Sequence, residues 1–138
     1  MPIGAANATG QYTSLRLKTG NVPVISYYDL SAGKLKLATC TANCNSASPT
    51  WQIVFVDTGV VVGQYSSLAL NNSGNPVVSY YDLPNGDLKM ASCTANCSSA
   101  TPTWQIVTID GAGADVGSYT SIQLDSGDRP VISYHDVT

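Results

Sequence analysis

Apolar and polar positions alternate with period two along "YSSLAL" (65–70), placing Leu68 and Leu70 on one side and Tyr65, Ser67 and Ala69 on the other. Such alternation predicts a β-strand with two unlike faces, and its small residues suit an innermost strand near a crowded axis. After the turn "NNSGNP", the run "VVSYYD" (77–82) is β-branched and aromatic, which predicts a strand packed on both faces. "LPNGDL" follows with Asn85-Gly86, a hairpin signal because both central residues of a type I′ turn need positive φ. "LKMASC" (88–93), a polar loop and "TWQIVTID" (103–110) complete a predicted set of four strands. Prolines fall at strand entrances or in loops, where the missing N–H costs no ladder bond. No segment carries apolar residues at helical spacing over three turns, so the chain reads as all-β.

The set recurs. "GQYTSLRLKTGNVPVISYYDLSAGKLKLATCTANCNSASPTWQIVFVD" from Gly10 aligns without a gap against "GQYSSLALNNSGNPVVSYYDLPNGDLKMASCTANCSSATPTWQIVTID" from Gly63, and "GSYTSIQLDSGDRPVISYHDVT" from Gly117 repeats its first part. The leading "GAANATG" matches "GAGADVG" (111–117), the link before the third copy. A period of about 53 residues is in the range of four-stranded propeller blades. The expected architecture is therefore an all-β, β-propeller arrangement of two full blades plus the two inner strands of a third, an incomplete ring within one chain. Its expected divisions are an inter-blade linker over 1–9, blade 1 over 10–62, blade 2 over 63–116 and half-blade 3 over 117–138. A β-sandwich gives no reason for near-identical repeats of this length, and a solenoid uses much shorter coils.

The pattern "GxYxSLxL…GNPVxSYYD…GxLKxAxC…C…TWQIVxxD" resembles the tandem repeats of secreted bacterial proteins related to the sialidase-like, or Asp-box, propellers. The resemblance spans the whole chain and implies fold more than role. In Asp-box propellers a serine-aspartate-glycine-tryptophan motif occupies the turn between third and fourth strands. Here that turn reads "SASPTW" and "SATPTW", keeping the serine and tryptophan without the aspartate and glycine. The neighbouring cysteine pair is expected to stabilise the turn in their place.

Those cysteines, Cys40, Cys44, Cys93 and Cys97, could supply one tetrahedral zinc site, a redox pair or covalent staples. Equivalent turns of neighbouring blades diverge toward the outer rim, which separates the two pairs and argues against a shared ion. Redox pairs use C-x-x-C at a helix N-terminus, whereas these spacings have three intervening residues and no helix. A local disulfide in each blade is the expectation, and it implies an oxidising, extracellular or cell-surface setting.

Composition narrows the function classes. Of 138 residues only 11% are charged, against about 25% in ordinary soluble domains, and the apolar share is 43%. The net charge of −3 comes from nine Asp and no Glu against four Lys and two Arg, with no basic stripe. Nucleic acid and anionic membranes are poor partners for such a surface. No apolar run reaches the 18 or so residues that span a bilayer, and "MPIGAANATG" lacks the basic and apolar regions of a signal peptide. Export would require that the signal be removed or belong to a longer precursor.

Catalytic chemistry finds few residues to use. A sialidase-type site needs an arginine cluster, a tyrosine and a glutamate, but the chain has only Arg16 and Arg129 and no Glu. No paired Asp stands out for glycoside hydrolysis. Serine nucleophile motifs, phosphate loops and metal-ligand clusters are missing too, so no catalytic residue, cofactor or metal is expected. Asp29, Asp82 and Asp136 end the second strand in all three copies and are expected to cap turns. Candidate ligand-binding residues are Trp51 and Trp104, which could stack on sugars, His135, which replaces Tyr28 and Tyr81, and Arg16 and Gln123, which vary with Ala69 on the innermost strand. Lys18, Asn71 and Asp125 vary beside them. Variation on a constant frame is how repeat proteins present binding surfaces.

Propeller rings close with about four to eight blades, so bare blade faces at either end demand a partner. The expected partner is a second copy of the chain, a homodimer giving six wedge positions, with filament formation or a fragment of a longer propeller as alternatives. The resulting expectation is a non-catalytic extracellular module that self-associates and recognises carbohydrate or another extracellular protein. A purely structural, self-assembling module is the alternative.

Overall fold

A computed structural model describes residues 9–113 and 115–137. Its described residues form ten strands and no helix. In chain order these are β1 (Thr9–Lys18), β2 (Val22–Asp29), β3 (Lys34–Ala42), β4 (Thr50–Asp57), β5 (Val62–Leu70), β6 (Pro76–Asp82), β7 (Asp87–Ala95), β8 (Thr103–Asp110), β9 (Val116–Leu124) and β10 (Pro130–Asp136). They assemble as two antiparallel sheets of four strands, ordered β1-β2-β3-β4 and β5-β6-β7-β8, and a third sheet of β9 and β10. Thr9, expected in a linker, already pairs with Asp29 in β1, as Val62 pairs with Asp82. Residues 1–8 of that linker lie outside the described residues.

The hairpin carrying Asn85-Gly86 forms, but not through a type I′ turn. Asp82 pairs with Asp87 across a four-residue connection, Gly86 N donates to Asp82 O at 2.9 Å, and Gly86 has φ +69 while Asn85 does not take positive φ. Leu83 and Pro84 lengthen the loop, and proline fixes its own φ in the negative range. The wider connection leaves a single left-handed position, which the glycine fills.

The first strand of each sheet is also less regular than its alternation implies. The β5–β6 register shifts between Gln64 and Ser67, and Tyr65 sits at φ +54 inside that bulge. Tyr12 and Tyr119 repeat the conformation at φ +52 and +54. Bulky residues seldom take positive φ, and a bulge re-aims a side chain by bending its strand.

The three sheets lie side by side through β1, β5 and β9, so that each presents a leading face to the sheet before it and a trailing face to the sheet after it. The main core fills the space between the first two sheets: Val24, Leu37 and Val56 meet Leu68, Val78 and Tyr80, all nearly inaccessible. A smaller cluster joins the second sheet to the third, with Ala69 and Val77 against Ile122. Gly63 permits the closest approach, because a Cβ there would lie 2.6 Å from Leu35 Cβ and 2.8 Å from its Cα. Gly117 stands in the same relation to Leu88.

Candidate functional site

The three bulge tyrosines form a ladder. Tyr12 and Tyr65 have ring centroids 4.5 Å apart, Tyr65 and Tyr119 are again 4.5 Å apart, and the planes tilt by 49° and 46°. Each ladder ring has an aromatic partner from its own second strand: Tyr28 at 6.3 Å, Tyr81 at 6.2 Å and His135 at 6.2 Å. Tilted contacts at these distances are favourable geometries for aromatic pairs. Burial, then hydrogen bonding and charge interaction with Tyr119 and Tyr12, push the Tyr65 hydroxyl up to about 12. Tyr81 is also pushed up to about 12, first by donating to Asp115 Oδ1 at 2.5 Å and then by burial.

Between the sheets runs a hydroxyl pattern that occurs twice. Leu68 N donates to Ser14 Oγ at 3.0 Å, and Ile122 N donates to Ser67 Oγ at 3.1 Å. Ser26 and Ser66 share a hydrogen bond of 3.0 Å, and Thr120 donates to Ser79 at 2.8 Å. Tyrosine-carboxylate bonds reinforce both junctions: Tyr80 reaches Asp57 at 2.7 Å and Tyr134 reaches Asp110 at 2.6 Å. The acceptor Asp110 holds the Tyr134 hydroxyl above its ordinary value. None of these pairings was anticipated from the sequence, although the recurring "YxSL", "SYYD" and terminal Asp carry them.

The outer faces of this stack are more exposed, although Tyr27 on the leading one stays buried. On the leading face of the first sheet Leu15 and Leu17 are 51% and 55% exposed, whereas their counterparts Leu68 and Leu70 are fully buried and half-buried. Gly10, Thr13, Leu15, Ile25 and Tyr27 line a depression of about 220 Å³ there. Ile53 and Phe55 extend the apolar surface outward, with the Lys36 ammonium 4.9 Å from the Phe55 centroid. On the trailing face of the third sheet Val131 is 64% exposed, although its counterpart Val77 is buried.

The four cysteines are joined as Cys40–Cys44 and Cys93–Cys97, one disulfide within each of the first two sheets. The thiolates are thereby unavailable to a metal, and no cluster of metal-ligating side chains occurs among the described residues. The disulfides indicate an oxidising environment. Beside Cys97 runs a shallow polar groove lined by Lys18, Thr19, Asn72, Ser73, Asn75 and Ser98. Burial lowers the Lys18 ammonium from its ordinary value.

The sequence candidates are dispersed. Trp51 and Trp104 open β4 and β8 opposite Cys40 and Cys93. Trp104 packs against the main core, with its indole Nε1 buried and without a hydrogen-bond partner. Arg16, half-buried on β1, turns its guanidinium to the carbonyl of Leu15 at 2.8 Å. Gln123 is exposed on β9 opposite Val131, and His135 meets Ser118 at 3.4 Å and the edge of Tyr119. Of these candidates His135 touches the ladder, edge-on to Tyr119.

Of the turn aspartates, Asp29 caps its turn backbone, whereas Asp82 is held by side chains. Asp29 Oδ1 accepts from Ala32 N at 3.1 Å and Oδ2 from Lys36 Nζ at 2.6 Å. Burial raises the Asp29 carboxyl, but the Lys36 bond, the backbone donors and the Lys36 charge outweigh it and hold the group below its ordinary value. Asp82 pairs with Lys89 and accepts from Asn85 Nδ2 at 3.0 Å. No protein-family model and no curated protein matches the sequence.

Proposed function

We infer that the chain is a non-catalytic β-propeller repeat module whose blades dock on one another, and that it self-associates by using the same docking faces between copies. The observation that carries this reading is the junction built twice with the same pattern, while its two halves stand bare at opposite ends of the stack. Covering Leu15, Leu17 and Val131 would remove apolar area from water at about 25 cal/mol per Å² before the costs of association. The disulfides support an extracellular location. A sedimentation concentration series tests the reading: self-association is expected, and a single 14.4 kDa species at all concentrations contradicts it.

Recognition of a carbohydrate or of another extracellular protein is the activity proposed for the assembled module. The polar groove supports it, since amide and hydroxyl groups of Thr19, Asn72, Ser73 and Asn75 there offer both donors and acceptors. A glycan-binding screen on the wild type and on Asn72→Ala tests this. Binding that weakens in the variant is expected, and binding unchanged by Asn72→Ala would place recognition elsewhere.

A further inference from the structure

The junction between blades has a direction. On its trailing side stand a serine of the first strand and a serine of the second; on its leading side stand a backbone N–H, a hydroxyl and a branched apolar residue. Ser14 and Ser26 play the trailing part for Leu68 and Ser66, and Ser67 and Ser79 play it for Ile122 and Thr120. One repeat further on, the trailing pair is Ser121 and Ser133, both exposed beside Val131. The leading counterparts are Thr13 and Leu15, exposed at the depression on the first blade. The ladder has matching ends, with Tyr119 70% exposed and Tyr12 38% exposed.

We propose that two copies of the chain close a ring head to tail, with Ser121, Ser133, Val131 and Tyr119 of each copy seated on Leu15, Thr13 and Tyr12 of the other. This rests on the self-association reading and gives it a partner and a polarity. The Leu15 N–H then donates to Ser121 of the second copy, Thr13 pairs with its Ser133, and Tyr12 stacks on its Tyr119. A contact between two leading faces would bring apolar groups together but leave both Thr13 hydroxyls without their serine partners. That contact sets one patch against itself, whereas head-to-tail closure of two copies makes the trailing-to-leading junction twice about a two-fold axis.

Each chain supplies three blade positions, so two copies give six, within the roughly four to eight of closed propellers, whereas three copies give nine. The outer residues Ile53 and Phe55 lie beyond this inner contact.

A mixing experiment tests the direction. Leu15→Asp spoils the leading face and Val131→Asp the trailing face, each at a side chain exposed in a single copy. Head-to-tail closure predicts that each variant alone sediments as a monomer and that an equimolar mixture forms a heterodimer through the one junction left intact. If Val131→Asp remains a dimer while Leu15→Asp does not, the contact is leading face to leading face; self-association stands and this proposal falls. A monomeric wild type overturns both, and wild-type filaments or trimers overturn the two-copy ring. Cysteine variants provide a check that does not depend on charge insertion: Thr13→Cys combined with Ser133→Cys is expected to cross-link two copies under mild oxidation. Cross-linking by Thr13→Cys alone would contradict the proposal.

Discussion

The Tyr80 hydroxyl donates to Asp57 Oδ2 at 2.7 Å with both residues buried, which ties the second strand of one sheet to the last residue of the preceding one. Asp57 Oδ1 also accepts from Gly59 N at 2.8 Å, so the carboxylate depends on two protein donors. Tyr80→Phe removes one donor and leaves the oxygen dry. We expect a loss of about 1–3 kcal/mol, the usual cost of an unsatisfied buried polar group. A lower urea midpoint at unchanged slope would show it. Tyr134→Phe breaks the matching bond to Asp110 at an exposed site and is expected to cost less than about 1 kcal/mol.

Gly63 and Gly10 occupy equivalent positions with opposite surroundings. Both have positive φ, +106 and +87, but a Cβ at Gly63 would overlap the Leu35 backbone, whereas at Gly10 it would meet nothing within 4 Å. Gly63→Ala is therefore expected to destabilise by more than 2 kcal/mol, roughly the scale of an overpacked core site with added backbone strain. Gly10→Ala carries the conformational cost alone, about 1–2 kcal/mol. Thermal unfolding of the pair checks the order, and equal losses would show that the sheet-to-sheet approach is not tight.

Alkaline pH should weaken the fold through its tyrosines. Tyr65 and Tyr81 are pushed up to about 12 in the folded chain, above the ordinary value near 10. A folded value raised above the unfolded one gives stability that is complete below about pH 10 and is lost as pH rises through about 12. Tyrosinate absorbance is expected to show late-titrating groups, and Asp115→Asn to shift one of them back toward the ordinary value. An unchanged titration curve in that variant would remove Asp115 as the cause.

Reduction should cost little. Each disulfide joins residues only four apart, so the loop it closes is far shorter than the 15-residue loop worth about 3 kcal/mol. Cys93→Ser with Cys97→Ser is expected to lower the thermal midpoint by a few degrees and to leave the far-ultraviolet spectrum unchanged. Loss of the folded spectrum would show that the loop organises β7 and β8.

Much of the architecture was legible because the repeat made each signal appear more than once. The alternation in "YSSLAL" and the β-branched run "VVSYYD" mark strands that form where expected, and the C-x-x-x-C spacing marks disulfides that are present. The bulge at Tyr65 was hidden because period-two alternation carries no record of a left-handed residue inside a strand. The Asn85-Gly86 turn was misread because dipeptide chemistry ignores the two loop residues before it. The docking pattern was harder still, since Ser14, Ser67 and Ser121 look like ordinary polar strand positions until the neighbouring sheet supplies their donors. The candidates Trp51, Trp104, Arg16 and Gln123 were selected for residue type or variation, neither of which encodes proximity.

The central claim concerns the bare faces, and molar mass by light scattering tests it most directly. Wild-type chain is expected at twice its 14.4 kDa, with Leu15→Asp at the mass of one chain. A wild-type mass of one chain at concentrations well into the micromolar range would contradict the account.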